Sequence, residues 1–205
     1  MSYLFVALSY LIGSINFAYL VAKYKKLDIS SSGSGNPGTS NVMRTIGKKY
    51  AAIVLIGDLF KGIIPIFLFD ENLLLCGFAA VVGHIYPIFY KFKGGKGVAT
   101  YIGVYIAFST LNPISYDLFE NSYFLFLNIP VLAIFYFVVF KISRISAIAS
   151  LLTVFISNLI LFMSFNVFQD RFIVLLLFWL IVFKHSDNIK RPVSYTHLTL
   201  PTNDL

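Results

Sequence analysis

Residues 3–22 read YLFVALSYLIGSINFAYLVA, an apolar run broken near its middle by Gly13, Ser14 and Asn16. A helix needs about 20 apolar residues to cross a bilayer, so this run is long enough for one span. No basic segment precedes it and no clear small-x-small cleavage site appears, which favours a retained span over a removed leader. Comparable stretches recur at 51–69, 72–90, 98–119, 123–140, 147–165 and 172–186, giving seven. The last holds twelve continuous apolar residues before Lys184 and must draw its polar end, around His185, into the interface or the protein interior. Composition agrees. The chain has 205 residues, 58% apolar and 12% charged, with a mean hydropathy of +0.82. Soluble domains run at about 45–50% apolar and about 25% charged, and one water-soluble core cannot hide the excess. A single cysteine, Cys76, excludes a disulfide framework and a multi-cysteine zinc site. The net charge of +7 points to anionic partners. The apolar load favours membrane lipids and phosphorylated substrates over nucleic acid.

Charge asymmetry tests the span count independently. With the N-terminus outside, the inside segments carry Lys23, Lys25, Lys26, Arg44, Lys48 and Lys49, then Lys91, Lys93 and Lys96, then Lys141 and Arg144, then Lys184, Lys190 and Arg191. Outside loops hold only Arg171, and Lys61 lies within a span. Asp70, Glu71, Asp117, Glu120 and Asp170 fall outside. The positive-inside rule therefore predicts an all-α membrane protein of seven helices, N-terminus outside and C-terminus cytoplasmic. No internal repeat or second domain is visible, so residues 1–191 read as one unit. Residues 192–205 are polar and Thr-rich, resemble translated adapter sequence, and are set aside as non-native; His197 is given no role.

The remaining polar residues cluster on the inside. The first inside loop contains Ser30-Ser-Ser-Gly-Ser-Gly-Asn-Pro-Gly-Thr-Ser-Asn-Val-Met-Arg44. Gly33, Gly35 and Gly38 match G-x-G-x-x-G, but the flanking spans exclude the βαβ unit that a dinucleotide site requires. A flexible linker is the simplest account of such a loop. It leaves Asn36, Asn41 and Arg44 unexplained, whereas glycine amides and a guanidinium can converge on an anion. The second inside loop, Lys91-Phe-Lys-Gly-Gly-Lys-Gly-Val-Ala-Thr100, immediately precedes a span. Gly94, Gly95, Lys96 and Gly97 at a helix start suit a phosphate cradle. This is not a Walker A motif, because Tyr90 stands where its first glycine would be and Gly97 follows the lysine.

Asp58 and Lys61 lie three apart on one face of the second span. Each charge at mid-membrane costs about 2.5–3.5 kcal/mol, so they either neutralise each other or Lys61 reaches a bound anion. A lone histidine such as His84, in Gly83-His-Ile-Tyr-Pro87, is usually structural. Serines 143, 146 and 150 near a helix start are commonly caps. His185 and Asn188 share a helical face, which a basic terminal flank does not explain. Nearly all these groups lie at one membrane face, which fits an interfacial enzyme. A transporter of phosphate or organophosphate is the alternative, although no symmetric pair of broken helices is seen. A non-catalytic assembly subunit, with the glycine loops as linkers, is a third reading. Magnesium would want carboxylates, and no inside acid cluster exists. No metal and no cofactor are therefore expected.

These segments, in order along residues 1–191, closely resemble the bacterial acyl-phosphate:glycerol-3-phosphate acyltransferase family of the PlsY type. They are Gly13-Ser14, the loop ending at Arg44, Asp58-Leu-Phe-Lys-Gly62, Gly83-His-Ile-Tyr-Pro87, the run 91–100, and His185-Ser-Asp-Asn-Ile-Lys-Arg191. The resemblance implies acyl transfer from acyl phosphate to the 1-hydroxyl of sn-glycerol 3-phosphate, giving lysophosphatidate and phosphate as the first step of phospholipid biosynthesis. It also implies a seven-span, inner-membrane, multi-pass protein with its site facing inward; a monomer is expected. The family lacks a His-x4-Asp motif, as does this chain, where Phe89 and Lys190 follow His84 and His185 by five.

By that resemblance Arg44, Lys61 and Lys96 hold the two phosphates, with Gly33, Gly35, Gly38, Asn41, His84, Gly94, Gly95, Gly97, Ser143 and Ser146 completing the binding set. Ser34 and Asn36 are candidates to face the developing oxyanion. His185 or a donor phosphate oxygen takes the hydroxyl proton, and Asn188 positions His185 or a glycerol hydroxyl. In one place the chain departs from the family, which commonly reads Thr-Arg-Tyr-x-Ser-Leu-x-Ser after span five. Here the run is Ser143-Arg-Ile-Ser-Ala-Ile-Ala-Ser150, with Ala147 at a family serine.

Overall fold

The computed structural model describes residues 2–111 and 122–186, and the described residues form α-helices joined by turns and loops. The helices are α1 Ser2–Ser14, α2 Phe17–Tyr24, α3 Thr39–Thr45, α4 Lys48–Leu68, α5 Leu73–Ile85, α6 Val98–Leu111, α7 Ser122–Ser143, α8 Ser146–Ser164 and α9 Phe168–Lys184. Every apolar stretch of the sequence carries helix. Among the described residues, four helical segments are long and apolar enough to cross a membrane: Tyr3–Tyr24, Lys48–Leu68, Leu73–Tyr90 and Ser146–Ser164. Val98–Thr110 and Leu127–Ser143 are shorter.

The first stretch is two helices, not one. The chain breaks at Ile15–Asn16, and the Asn16 side chain caps α2 by accepting from the Tyr19 amide at 3.1 Å. A break at membrane depth is tolerated only where protein groups replace the lost hydrogen bonds. Lys61 does so, donating to the Ile15 carbonyl at 2.8 Å. The third stretch, expected over 72–90, stops as α-helix at Ile85, two residues before Pro87, and Ile88–Tyr90 forms a short 3₁₀ turn. Proline disfavours helical backbone in the residue before it, which accounts for the early stop.

The helices are inside out relative to a soluble bundle. Ile53, Ile56, Phe60 and Phe67 of α4, Ile134 and Phe137 of α7, and Trp179 and Phe183 of α9 are exposed, while Asp58, Lys61, His84, Thr100, Ser157 and Asn158 are buried. Such large apolar exposure marks a lipid-facing surface. Two cores hold the bundle. The larger joins α4 through α9 around Tyr101, Tyr105 and Phe108. The smaller joins α2, α3, the first loop and the start of α4 around Ala18, Ile29, Val42 and Val54.

Close crossings depend on small residues, as is usual in membranes. A Cβ on Gly62 would overlap the Thr100 carbonyl, and one on Gly103 would overlap the Leu59 carbonyl. This register places α6 about ten residues, or about 15 Å, deeper along the bundle axis than the start of α4. The loop before α6 is therefore carried into the molecule. The α1 and α5 helices run in the same direction. Phe5 stacks on Phe69 at 4.7 Å at one end, and the Ile88 amide donates to Ser14 Oγ at 3.4 Å at the other. The α1 N-terminus thus lies at the end opposite the glycine loops.

Candidate functional site

The first loop is organised by Asn41. This side chain, 1% exposed, reaches back from the first turn of α3. Its Oδ1 accepts from the Ser34 amide at 2.9 Å, and its Nδ2 donates to the Ser32 carbonyl at 2.9 Å and the Ile29 carbonyl at 3.4 Å. The loop can fold back this tightly because Gly33 takes φ +59°, and a Cβ there would overlap Asn41 Oδ1. Asp28 closes the loop's entrance, its carboxylate accepting from the Ser30 amide at 2.9 Å and hydroxyl at 2.6 Å. Those two donors hold the Asp28 carboxyl below the ordinary aspartate range. Asn41 is thus committed to the loop itself. Ser34 and Arg44 are exposed and face each other, Nη2 to Oγ at 3.4 Å.

The second loop, Pro87–Gly97, is anchored by its own glycines. The Gly94 amide donates to the Ile85 carbonyl and the Gly95 amide to the His84 carbonyl, each at 3.2 Å. The Gly35 and Gly38 amides of the first loop are likewise engaged, with Ser32 and Asn36 carbonyls at 3.0 Å. These four glycines therefore serve shape more than donation. The amides opening α6 can receive an anion, since the first turn of a helix has no intrahelical acceptors for them. Lys91 and Phe92 adopt left-handed φ of 51° and 59°, strain of the kind found beside ligand sites.

The two loops meet. A Cβ on Gly95 would lie 3.2 Å from the Pro37 carbonyl oxygen. Ser30 lines the same open cleft of about 340 Å³ as Tyr19, Phe89, Tyr90, Lys91 and Lys93. Tyr19 stacks on Tyr90 at 4.6 Å, fastening α2 to the second loop. The end of α9 joins this group. His185 is 3% exposed, and its Nδ1 lies 2.8 Å from the Ile181 carbonyl. A carbonyl can only accept, so Nδ1 carries a proton, and Nε2 is the nitrogen left to act as a base when the ring is neutral. Lys184 Nζ, at the end of α9, sits 4.3 Å over the ring of Tyr86, the residue before the second loop.

Lys61 and His84 are buried behind this exposed group, with His84 against Gly95. Lys61 is 2% exposed, with its ammonium 2.9 Å from Asp58 and bonded to Ile15. Of the two sequence readings of this pair, mutual neutralisation fits the arrangement better. His84 Nδ1 lies 3.6 Å from the same Asp58 oxygen. Ser143 is used locally, its Oγ donating to the Ile145 carbonyl at 3.3 Å and accepting from the Ile145 amide at 3.2 Å. Arg144 is left-handed at φ 57°. Ser146 starts α8, and Ala147 is buried. The corner at 143–146 shares an end of the bundle with His185, because α8 and α9 run antiparallel across a three-residue link. Asn188 lies outside the described residues. Tyr19, Tyr90 and Pro37 shape the site without having been flagged by the sequence, because no local pattern announces a stacking or carbonyl contact.

Residues 3–194 match the family model described as glycerol-3-phosphate acyltransferase. Among curated relatives, the glycerol-3-phosphate acyltransferase of Ruthia magnifica subsp. Calyptogena magnifica is 38% identical over 90% of this chain and 89% of its own length. That of Aquifex aeolicus is 36% identical over 91% and 92%. Two crystal structures of PlsY, an integral membrane glycerol 3-phosphate acyltransferase, share this fold at 33% identity. The glycerol 3-phosphate form has a TM-score of 0.78 and covers 97% of this chain and 95% of that one. The lysophosphatidic acid form has 0.72, covering 94% and 91%.

Proposed function

The chain belongs to the glycerol-3-phosphate acyltransferase family, and on that premise we propose that it moves a fatty acyl group from acyl phosphate to the 1-hydroxyl of sn-glycerol 3-phosphate. It is an acyltransferase of glycerol 3-phosphate; the donor, the residue roles and the membrane arrangement are our reading. One observation carries it: the Pro37–Gly95 approach, together with Lys184 over the Tyr86 ring, brings the first loop, the second loop and the end of α9 together, and these segments carry Arg44, Lys91, Lys93 and Lys96.

In this reading the opening amides of α6 and Lys96 hold one phosphate, and Arg44 holds the other. Arginine grips phosphate through two parallel hydrogen bonds, whereas lysine acts as a point charge. The acyl donor is a mixed anhydride and is already activated, so no covalent enzyme intermediate is required. The protein contributes proximity and preorganised donors. His185 Nε2 accepts the hydroxyl proton as the oxygen attacks the acyl carbon; the carbon–oxygen bond to phosphate then breaks and phosphate departs. Ser34 and Asn36 face the developing oxyanion, Asn188 orients the acceptor, and Ser143 or Ser146 completes its site. Gly33, Gly35, Gly38 and Asn41 shape the first loop, and Gly94, Gly95 and Gly97 shape the second. Lys61 and His84 support from behind.

We place residues 1–191 in a bacterial inner membrane as one seven-span unit with the N-terminus outside, because fourteen of its basic residues then fall on one side. The test uses purified protein with palmitoyl phosphate, labelled glycerol 3-phosphate and EDTA. Labelled lysophosphatidate is the expected product. Its absence with acyl phosphate, or its appearance only with another acyl donor, contradicts the proposal.

A further inference from the structure

We propose that Asp58, Lys61 and His84 form a buried positioning clamp that sets the place of the Gly94–Gly97 loop and so tunes affinity for the phosphate held there. The substrate in this statement rests on the acyltransferase reading above; the geometry does not. Three segments distant in sequence meet at the clamp. Lys61 Nζ joins Asp58 Oδ1 at 2.9 Å to the Ile15 carbonyl at 2.8 Å, tying α4 to the α1–α2 break. His84 Nδ1 stands 3.6 Å from the same Asp58 oxygen and makes no hydrogen bond among the described residues.

The opposite edge of that ring faces the loop. His84 Nε2 occupies the space that a Cβ on Gly95 would need, while the His84 carbonyl accepts the Gly95 amide. The His84 imidazole and the Pro37 carbonyl thus both stand close to where a Gly95 side chain would be. An apolar trio of similar volume can be as stable as a buried ionic one, so stability alone does not explain three ionisable groups here. Fixing the second loop against the first does. The loop needs that support because two of its residues, Lys91 and Phe92, are already left-handed.

A sign-reversing pair of variants tests the clamp, read by steady-state kinetics with acyl phosphate and glycerol 3-phosphate each varied and by thermal unfolding in detergent. His84→Ala alone raises KM for the substrate whose phosphate that loop holds by about tenfold and leaves kcat within about threefold, as expected when binding is weakened equally in ground and transition states. Gly95→Ala alone lowers both the melting temperature and kcat/KM, because the new methyl group meets the ring. In the double variant, His84→Ala restores the melting temperature and recovers kcat/KM by about tenfold over Gly95→Ala. The same substitution is therefore harmful in one background and helpful in the other. A histidine that touches substrate directly would lower kcat in both backgrounds, and that result overturns the proposal. So does a Gly95→Ala protein that unfolds like the parent, or a double variant that recovers nothing. Asp58→Leu with Lys61→Met should fold well yet keep the raised KM; a parental KM in that variant also overturns it. If the parent protein proves inactive with acyl phosphate, the functional reading fails, and the unfolding arm still decides the clamp.

Discussion

Replacing Lys61 by methionine keeps the length of the side chain and removes only its ammonium. Two groups then lose their partner: the Asp58 carboxylate at 2.9 Å and the Ile15 carbonyl at 2.8 Å. Both members of the ion pair are 2–3% exposed at the side chain, so water does not replace what is lost. Breaking a buried pair from one side costs about 3–5 kcal/mol, and orphaning a buried carbonyl costs about 1–3 kcal/mol. One ammonium serves both partners, so these figures overlap, and the expected loss is about 4 kcal/mol. Removing both charges, as Asp58→Leu with Lys61→Met, removes the ion pair as a unit, leaves the Ile15 carbonyl without its donor and should cost about 1–3 kcal/mol. For a chain of this length each kcal/mol moves the melting temperature by about 2–4 °C, so the single variant should melt about 8–16 °C below the parent. The buried thiol of Cys76 supplies the readout, through a maleimide dye that reacts as the protein unfolds. If single and double variants melt at the same temperature, or the single variant melts like the parent, the ion pair does not hold α4 to the helix break.

Four further outcomes are expected. Lys96→Ala and Arg44→Ala should each lose about 10²–10³-fold in acyl transfer while keeping parental unfolding; full activity in both removes the phosphate cradle. Asn41→Ala strips three hydrogen bonds from the first loop and should cost about 1–3 kcal/mol, seen as faster proteolysis between residues 29 and 36. Because its folded-state pKa is depressed, Asp28 contributes to loop order above the unfolded aspartate value, and that contribution disappears as pH falls through the folded value. Loop proteolysis should therefore accelerate on acidification in the parent and lose this dependence in Asp28→Asn. Acyl-CoA offered in place of acyl phosphate should yield no product.

The helices were legible because the apolar stretches are separated by charge or proline, and the Asp58–Lys61 pair because a three-residue spacing puts both on one face. The break at Ile15–Asn16 was visible only as an irregularity in residues 3–22. Whether Gly13, Ser14 and Asn16 bend a helix or divide it depends on Lys61, forty-six residues later, satisfying the freed carbonyl. The glycine loops were recognisable by composition, but their hydrogen bonding was not. The expectation that glycine amides form the cradle overlooked the carbonyls of Ile85 and His84, which take the Gly94 and Gly95 amides. Asn41 was read as an anion-binding group; in the structure its three hydrogen bonds are within the loop that Gly33 allows to close. His185 was legible because a polar residue ending a short apolar run needs a partner, and Ile181 supplies it.

Cysteine pairing in native membranes tests most directly whether the two inside loops form one centre. Ser30→Cys and Lys93→Cys, with Cys76→Ser, place two exposed thiols around the same cleft. A short bifunctional maleimide applied from the cytoplasmic side should join them, block acyl transfer, and be slowed by glycerol 3-phosphate. Thiols that label from opposite sides of the membrane, or that never join while acyl transfer proceeds, would contradict it.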